Sequence, residues 1–236
     1  MLASFFYLIA FRIIISLKLS ISSFYLVIMA TLRVRDMKNG GIMGNRKSEY
    51  AVLPLILNRW SPRAMSGQPI TESELLSLFE AARWAPSSHN NQPWRFVYVR
   101  RNTPDWDRMF KLLVPANQMW AKNAAVLILA VSNKTCNYNG KVARTHSLDT
   151  GAAMQNVALQ AFSIDLVCRG MEGFDYDKAR KEFSIPEEYA IEAMYAIGRQ
   201  GNSSDLPIEL QTKESPSDRK KINEFAFEGN FKVKKE

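Results

Sequence analysis

A chain of 236 residues, 47% hydrophobic and 11% aromatic, carries enough apolar material for one sizeable core and is not a disordered polymer. Its 31 basic and 23 acidic residues leave a formal charge of +8. That charge is spread out and accompanies no nucleic-acid-binding motif, so a nucleic-acid partner is not expected.

The first 42 residues are a hydrophobic extension with five basic residues (Arg12, Lys18, Arg33, Arg35, Lys38) against one acid, Asp36. Its uncharged runs, Met1–Phe11, Ile13–Leu17 and Leu19–Leu32, are each shorter than the roughly 18 residues of a membrane span. It also opens directly on apolar residues and offers a poor cleavage site at Met29-Ala30-Thr31, unlike a signal peptide. Three readings stay open: a mis-called start, with translation beginning at Met37 or Met43; a membrane-associating segment over residues 1–32; or a targeting peptide. The domain proper is expected over residues 43–236, where 26 basic residues face 22 acidic ones. So mild an excess suits anionic ligands such as phosphates.

Along that domain, Ala51–Asn58 is a short apolar helical run ending at Arg59-Trp60-Ser61-Pro62-Arg63. Two guanidinium groups around a hydroxyl suit a phosphate dianion, because arginine donates planar, charge-assisted pairs. Thr71 and Glu74 form a capping box that opens a helix with Leu75, Leu78, Phe79 and Ala82 as its buried stripe. Ala85-Pro86-Ser87-Ser88-His89-Asn90-Asn91-Gln92-Pro93-Trp94 then makes a stiff polar loop. Its prolines fix the backbone at both ends, and its short side chains suit a flat heteroaromatic ligand.

Phe96–Val99 reads as a strand, Trp106–Leu113 as a helix, and the apolar run Ala124–Ser132 as a central strand buried on both faces. Ser147 to Leu166 is a long alanine-rich helix, with Leu148, Ala152, Ala158, Leu159 and Phe162 at core spacing. Gly170–Gly173 reads as a loop before a helix over Asp175–Phe183, and Ala190–Ile197 as a second central strand ending at Gly198-Arg199. Glu224–Phe231 alternates apolar and polar residues, as a terminal strand or an arm wrapping a partner would. The order of elements is mixed, so the fold class is α+β, with a mainly antiparallel central sheet flanked by helices.

The Arg59–Arg63 turn followed by the Pro86–Trp94 loop resembles the nitroreductase family of FMN-dependent NAD(P)H oxidoreductases, and the likeness runs from about Leu53 to Phe231. The resemblance implies a flavin domain over residues 43–236 in which Arg59, Ser61 and Arg63 hold the FMN phosphate and ribityl end. Asn90 is implied near the flavin ring, with Pro86, Ser87 and Ser88 lining that side. Met171-Glu172-Gly173-Phe174-Asp175 resembles a third family element, placing Glu172 and Gly173 at the reactive edge, where a backbone N–H can bond N5. Glycine there would let the backbone approach the ring closely. Arg219 and Lys220 resemble a C-terminal pair that returns to the phosphate, although Lys221 stands where proline is common, which leaves the register open by a residue. The family also implies an intertwined homodimer with its C-terminal arm exchanged.

What the chain lacks points the same way. Cys136 and Cys168 lie far apart with no paired ligand nearby, so no metal site is expected, and lone reduced thiols suit a cytoplasmic protein. His89 and His146 are the only histidines, and no Ser-His-Asp order, Walker loop or G-x-G-x-x-G is present. Redox chemistry on a bound flavin needs none of these, because the cofactor supplies the electronics. The expected activity passes hydride from NAD(P)H through flavin N5 to a nitroaromatic, quinone or similar small acceptor by a ping-pong cycle, with no catalytic side chain assigned. Two alternatives stand beside it: a non-catalytic FMN-binding or redox-sensing protein, and a membrane-associated quinone reductase using residues 1–32.

Overall fold

The computed structural model describes residues 46–232. The boundary expected at residue 42, the three readings of the extension and the start at Met37 or Met43 all lie outside the described residues. The chain divides into two compact units, residues 1–58 and 59–236. In the first, helix α1 (Pro54–Asn58) is a single turn, shorter than the Ala51–Asn58 run, and Arg46 donates to the Leu57 carbonyl at 3.0 Å.

The second unit is built on four antiparallel strands: β1 (Trp94–Arg100), β2 (Val126–Asn133), β3 (Leu166–Met171) and β4 (Tyr189–Arg199). Their order across the sheet is β1-β2-β4-β3, so β1 and β3 are the edges. The central position of β2 explains its apolar run. Leu127, Leu129 and Val131 enter a core on one face, while Val126, Ile128 and Ala130 enter a core on the other. Leaving neither face to water removes the usual alternation of apolar and polar residues.

On the Ile128 face lie α2 (Glu72–Arg83) and α5 (His146–Ser163). Helix α2 opens on the expected capping box: Glu74 N–H donates to Thr71 Oγ1 at 3.2 Å, and Thr71 N–H donates to Glu74 Oε2 at 2.8 Å. Its Leu75, Leu78 and Ala82 are fully buried. The stripe expected on α5 holds in part, since Ala152 and Ala158 pack against this core, and is corrected in part. Ala153, Met154, Val157 and Ala161 face the core, whereas Leu148 is 73% exposed. The helix packs mainly through alanines, which permit close approach, with Met154 and Val157 among them, and leaves Leu148 outside.

On the Leu127 face lie the shorter helices α3 (Trp106–Phe110), α4 (Pro115–Ala121) and α6 (Tyr176–Glu182), contributing Trp106, Met109, Trp120 and Ala179. Helix α4, with proline at its first position, was not expected from the sequence. Strand β3 is a second correction, because Leu166 was assigned to the preceding helix and Gly170 to a loop. The strand has six residues and sits at an edge, with only Leu166, Cys168 and Met171 buried, so its period-two signal is weak. Past β4 come a 3-10 turn, the single turn α7 (Ile208–Gln211) and a second 3-10 turn, Ile222–Glu224. Residues 225–232 form no strand, contrary to the strand reading of Glu224–Phe231. Phe225 and Phe231 remain 62% and 83% exposed.

Candidate active site

The Arg59–Arg63 turn leads into a segment clamped to the exit of β4. Gly201 N–H donates to the Ala64 carbonyl at 2.9 Å, and Ser66 N–H to the Arg199 carbonyl at 3.0 Å. A Cβ on Gly201 would lie 2.7 Å from the Met65 carbonyl carbon, so only glycine permits this approach. Arg199 is held at the start of α2 by Glu74, at 2.8 and 3.0 Å.

Within the turn, Arg59 Nη1 donates to Ser61 Oγ at 3.3 Å. Burial and, more weakly, the nearby charge of Arg219 lower the Arg59 pKa, with Cys168 acting in the opposite direction. The Cys168 thiol is pushed up to about 12 by its own burial. Arg63 turns another way. Its N–H and that of Ala64 donate to Glu214 Oε1 at 2.7 and 2.8 Å, and its guanidinium lies 3.9 Å from Oε2. A fourth guanidinium joins from β3, where Arg169 donates to the Ser61 carbonyl and lies 5.5 Å from the Trp120 ring centroid. Burial, then the charge of Arg63, lowers its pKa, with Glu214 opposing. Cys168 and Arg169 are consecutive and point to opposite faces of β3. The turn therefore straddles the sheet edge, Arg59 on the Cys168 side and Arg63 on the Arg169 side.

Arg169 was not among the residues picked out from sequence, because an arginine in a short edge strand reads as solvent-facing. Arg219 bonds within its own turn, to Ser217 Oγ at 2.9 Å and the Asp218 carbonyl at 2.9 Å, and is close enough to influence Arg59. Lys220 is exposed and bonds none of these residues. Four arginines and a hydroxyl against one buried carboxylate form a donor set suited to a phosphate monoester.

Glu172 and Gly173 follow β3 directly. The Gly173 carbonyl accepts from Val114 N–H and Asn117 Nδ2, each at 3.0 Å. A Cβ here would sit 2.8 Å from Asn117 Nδ2 and 2.9 Å from Val114 Cγ2. The need for glycine is thus already set by packing against the start of α4. The Gly173 N–H finds no acceptor among the described residues.

The Pro86–Gln92 loop lies at the other edge, before β1. His89, Asn90 and Gln92 all hold positive φ, at 50°, 53° and 46°. Such backbone is costly outside glycine and persists only under outside support. Ser87 Oγ accepts from Gln92 N–H at 3.0 Å, and Asn90 Oδ1 accepts from Gln92 Nε2 at 3.1 Å. Ser88 N–H donates to buried Asp149 at 3.1 Å. Buried Asn91 accepts from Asn137 N–H at 2.7 Å and donates to the Thr135 carbonyl at 3.3 Å, while its carbonyl accepts from Asn137 Nδ2 at 3.0 Å. Pro86, Ser88, His89 and Asn90 stay exposed. Three sheet spacings, about 14 Å, separate this edge from the arginines beside β3.

The family model described as the nitroreductase family matches residues 56–113 and 104–199. The chain belongs to the nitroreductase family. A crystallised oxidoreductase containing FMN is 42% identical, superimposes with a TM-score of 0.78, and is matched over 81% of this chain and 98% of its own. Protein DrgA of Synechocystis is 29% identical over 164 residues, 58% of this chain and 77% of that protein. An Archaeoglobus fulgidus protein, a candidate NADH dehydrogenase/NAD(P)H nitroreductase by name, is 27% identical over 162 residues, 65% and 88% of the two chains.

The chain also contains a polar cluster that its sequence does not announce. A register shift between Ala130 and Val131 of β2 leaves Glu192 of β4 as the extra residue. The bulge aims its carboxylate at the start of α5. Ser132 donates to that carboxylate, as does Ser147 at 2.8 Å, and Ser132 Oγ lies 2.7 Å from His146 Nδ1. The serine and the carboxylate meet the same imidazole nitrogen, at 2.7 and 3.4 Å, so this is not a nucleophile relay. It anchors α5, which in turn holds the Pro86–Gln92 loop through Asp149. Among the described residues there is no cluster of metal-ligating side chains and no helix long and apolar enough to cross a membrane.

Proposed function

We propose that the protein is an FMN-dependent NAD(P)H oxidoreductase that reduces a small acceptor of the quinone or nitroaromatic class by a ping-pong cycle. The observation that carries this reading is the convergence of Arg59, Ser61, Arg63, Arg169 and Arg219 beside β3. From Arg169 the chain takes three residue steps, past Gly170 and Met171, to Glu172, about 10 Å along the edge, a span that a ribityl chain can bridge. The arginines and Ser61 would hold the phosphate. Gly173 would offer its N–H to the ring, with Glu172 beside it. When bound, the flavin supplies the redox chemistry, taking electrons from a reduced nicotinamide and giving them to the acceptor that replaces it.

The Pro86–Asn90 loop sits at the opposite edge of its own chain, so we assign it to the flavin bound by a second copy. Each site of the resulting homodimer draws its phosphate anchor from one subunit and Pro86, Ser87, Ser88 and Asn90 from the other. Leu148, Phe225 and Phe231, all exposed in the single chain, would be covered in that dimer, the last two as part of an exchanged C-terminal arm. Residues 43–236 would be the flavin domain, in the cytoplasm. Lys220 is kept as a weaker phosphate contact than Arg219.

The test is to purify the full chain, record its visible spectrum, and add NADH or NADPH without oxygen. A yellow protein that bleaches and recovers its colour with a quinone or nitroaromatic is expected. A yellow protein that refuses both nicotinamides would make it a flavin-binding module. A folded protein that rejects FMN would overturn the proposal.

A further inference from the structure

Within the arginine cluster, Arg169 and Glu214 stand apart, because neither belongs to the motifs that define the anchor. Glu214 comes from the segment after α7, and its side chain is 2% exposed. One oxygen receives the Arg63 and Ala64 amides, while Oε2 is buried without a hydrogen-bond partner, facing the Arg63 guanidinium at 3.9 Å. Arg169 reaches the turn from the sheet. It grips the Ser61 carbonyl and rests on the buried Trp120 ring, which fixes its direction.

We propose that Arg169 is a positioning residue for the phosphate group and that Glu214 is the counter-charge that limits the site's attraction for it. The proposal rests on the FMN reading given above. Three like charges crowded into a five-residue stretch and its neighbouring strand would splay apart without a brace. Arg169 braces the turn from the main chain: by holding the Ser61 carbonyl it sets where the Ser61 hydroxyl points, and its own charge adds to the field felt by a dianion. Glu214 holds the same turn from behind through two amides, and its negative charge offsets one of the two guanidiniums on that face. Arg169 and Glu214 therefore act on ligand preference with opposite sign. A residue that merely supported the fold would weaken all flavins together, whereas Arg169 acts on the phosphorylated form alone.

Riboflavin carries the same ring and ribityl chain as FMN without the phosphate, so the ratio of the two affinities isolates the anchor. Both dissociation constants are measured on the full chain by flavin fluorescence quenching. Arg169→Met is expected to weaken FMN at least about tenfold and riboflavin less than about twofold, because one charge-assisted contact is lost. Arg169→Lys keeps the charge and a donor, and is expected to restore most of the FMN preference. Glu214→Gln keeps an oxygen for the two amides and removes the counter-charge. It is expected to raise the preference for FMN over riboflavin by about threefold or more and to steepen its salt dependence.

Equal losses of FMN and riboflavin in Arg169→Met, or a fall in FMN preference in Glu214→Gln, would overturn the proposal while leaving the FMN reading intact. If Arg169→Met does not fold, the lysine and glutamine variants decide the matter through the same ratio. A wild-type protein with no preference for FMN over riboflavin would overturn the proposal and the phosphate anchor together.

Discussion

The two edges of the sheet carry their exposed polar segments in different ways. Beside β3, the turn from Arg59 to Arg63 is held by contacts made to its main chain, which leaves charged side chains as its working parts. Before β1, the Pro86–Gln92 loop has no charged group of its own except His89 when protonated, and its working part is an unusual backbone. One region stores electrostatic repulsion, the other conformational strain. Each needs support from residues distant in sequence: Glu214 and Arg169 for the turn, Thr135, Asn137 and Asp149 for the loop. A site assembled from such regions separates the task of attraction from the task of shape.

The sharpest way to break this contrast is to remove the support of the strained loop. Asn91→Ala deletes two side-chain hydrogen bonds and leaves the Thr135 carbonyl and the Asn137 amide without them in a partly buried place, an expected cost of about 2 kcal/mol. Thermal unfolding would read it, and a midpoint within a degree of wild type would show that the loop does not depend on Asn91. On the charged side, Arg59→Ala is expected to cost about 2 kcal/mol of FMN binding with almost no loss of fold stability. Arg63→Ala should lower both, because Glu214 is then buried without its nearest cation. Parallel melting and flavin titrations separate the two, and identical behaviour would remove the distinction drawn between these arginines.

Gly173→Ala sharpens the role of the shared edge. The new Cβ must displace Asn117 or Val114, at an expected cost of about 1.5 kcal/mol and with slower reduction of bound flavin. Stopped-flow reduction at the wild-type rate would count against Gly173 lying beside the ring. The smallest effect is expected at Thr71→Ala, which removes half of a capping box, for about 1 kcal/mol of stability and no change in flavin binding. The Glu74 carboxyl in that box is held below its ordinary pKa, first by the Thr71 amide and with help from Arg199. A depressed pKa stabilises the fold above the unfolded value and loses that contribution as pH falls through the folded one. Thr71→Ala keeps that amide and removes only the hydroxyl's smaller share, so its difference from wild type should shrink only slightly on acidification.

Much of this was legible in the sequence wherever one local rule governed an element. Thr71 and Glu74 announced α2 because a capping box needs only residues three apart. The uninterrupted run Ala124–Ser132 announced a strand covered on both faces, and the structure places it at Val126–Asn133. Features decided by distant contacts were hidden. Strand β3 exists because β4 lies beside it, and its own residues mix a glycine and an arginine with three buried side chains. The core stripe of α5 was legible only in part, at Ala152 and Ala158, because alanines, which face any environment at little cost, carry many of its contacts. Arg59, Ser61, Arg63 and Arg219 could be named from motifs, but Arg169 and Glu214 could not, since each earns its position only when the chain has folded around the turn. The three positive-φ residues of the loop are likewise invisible, because none is glycine.

Cys168 lies beside Arg59, where a thiolate would be welcome on charge alone, yet burial keeps the thiol protonated up to a pKa of about 12. Oxidation by peroxide begins from the thiolate and requires access. If dioxygen intercepts electrons at a flavin bound here, the peroxide released meets a sulfur that is covered and in its inert form. Replacing this cysteine should therefore leave the protein's lifetime in air unchanged.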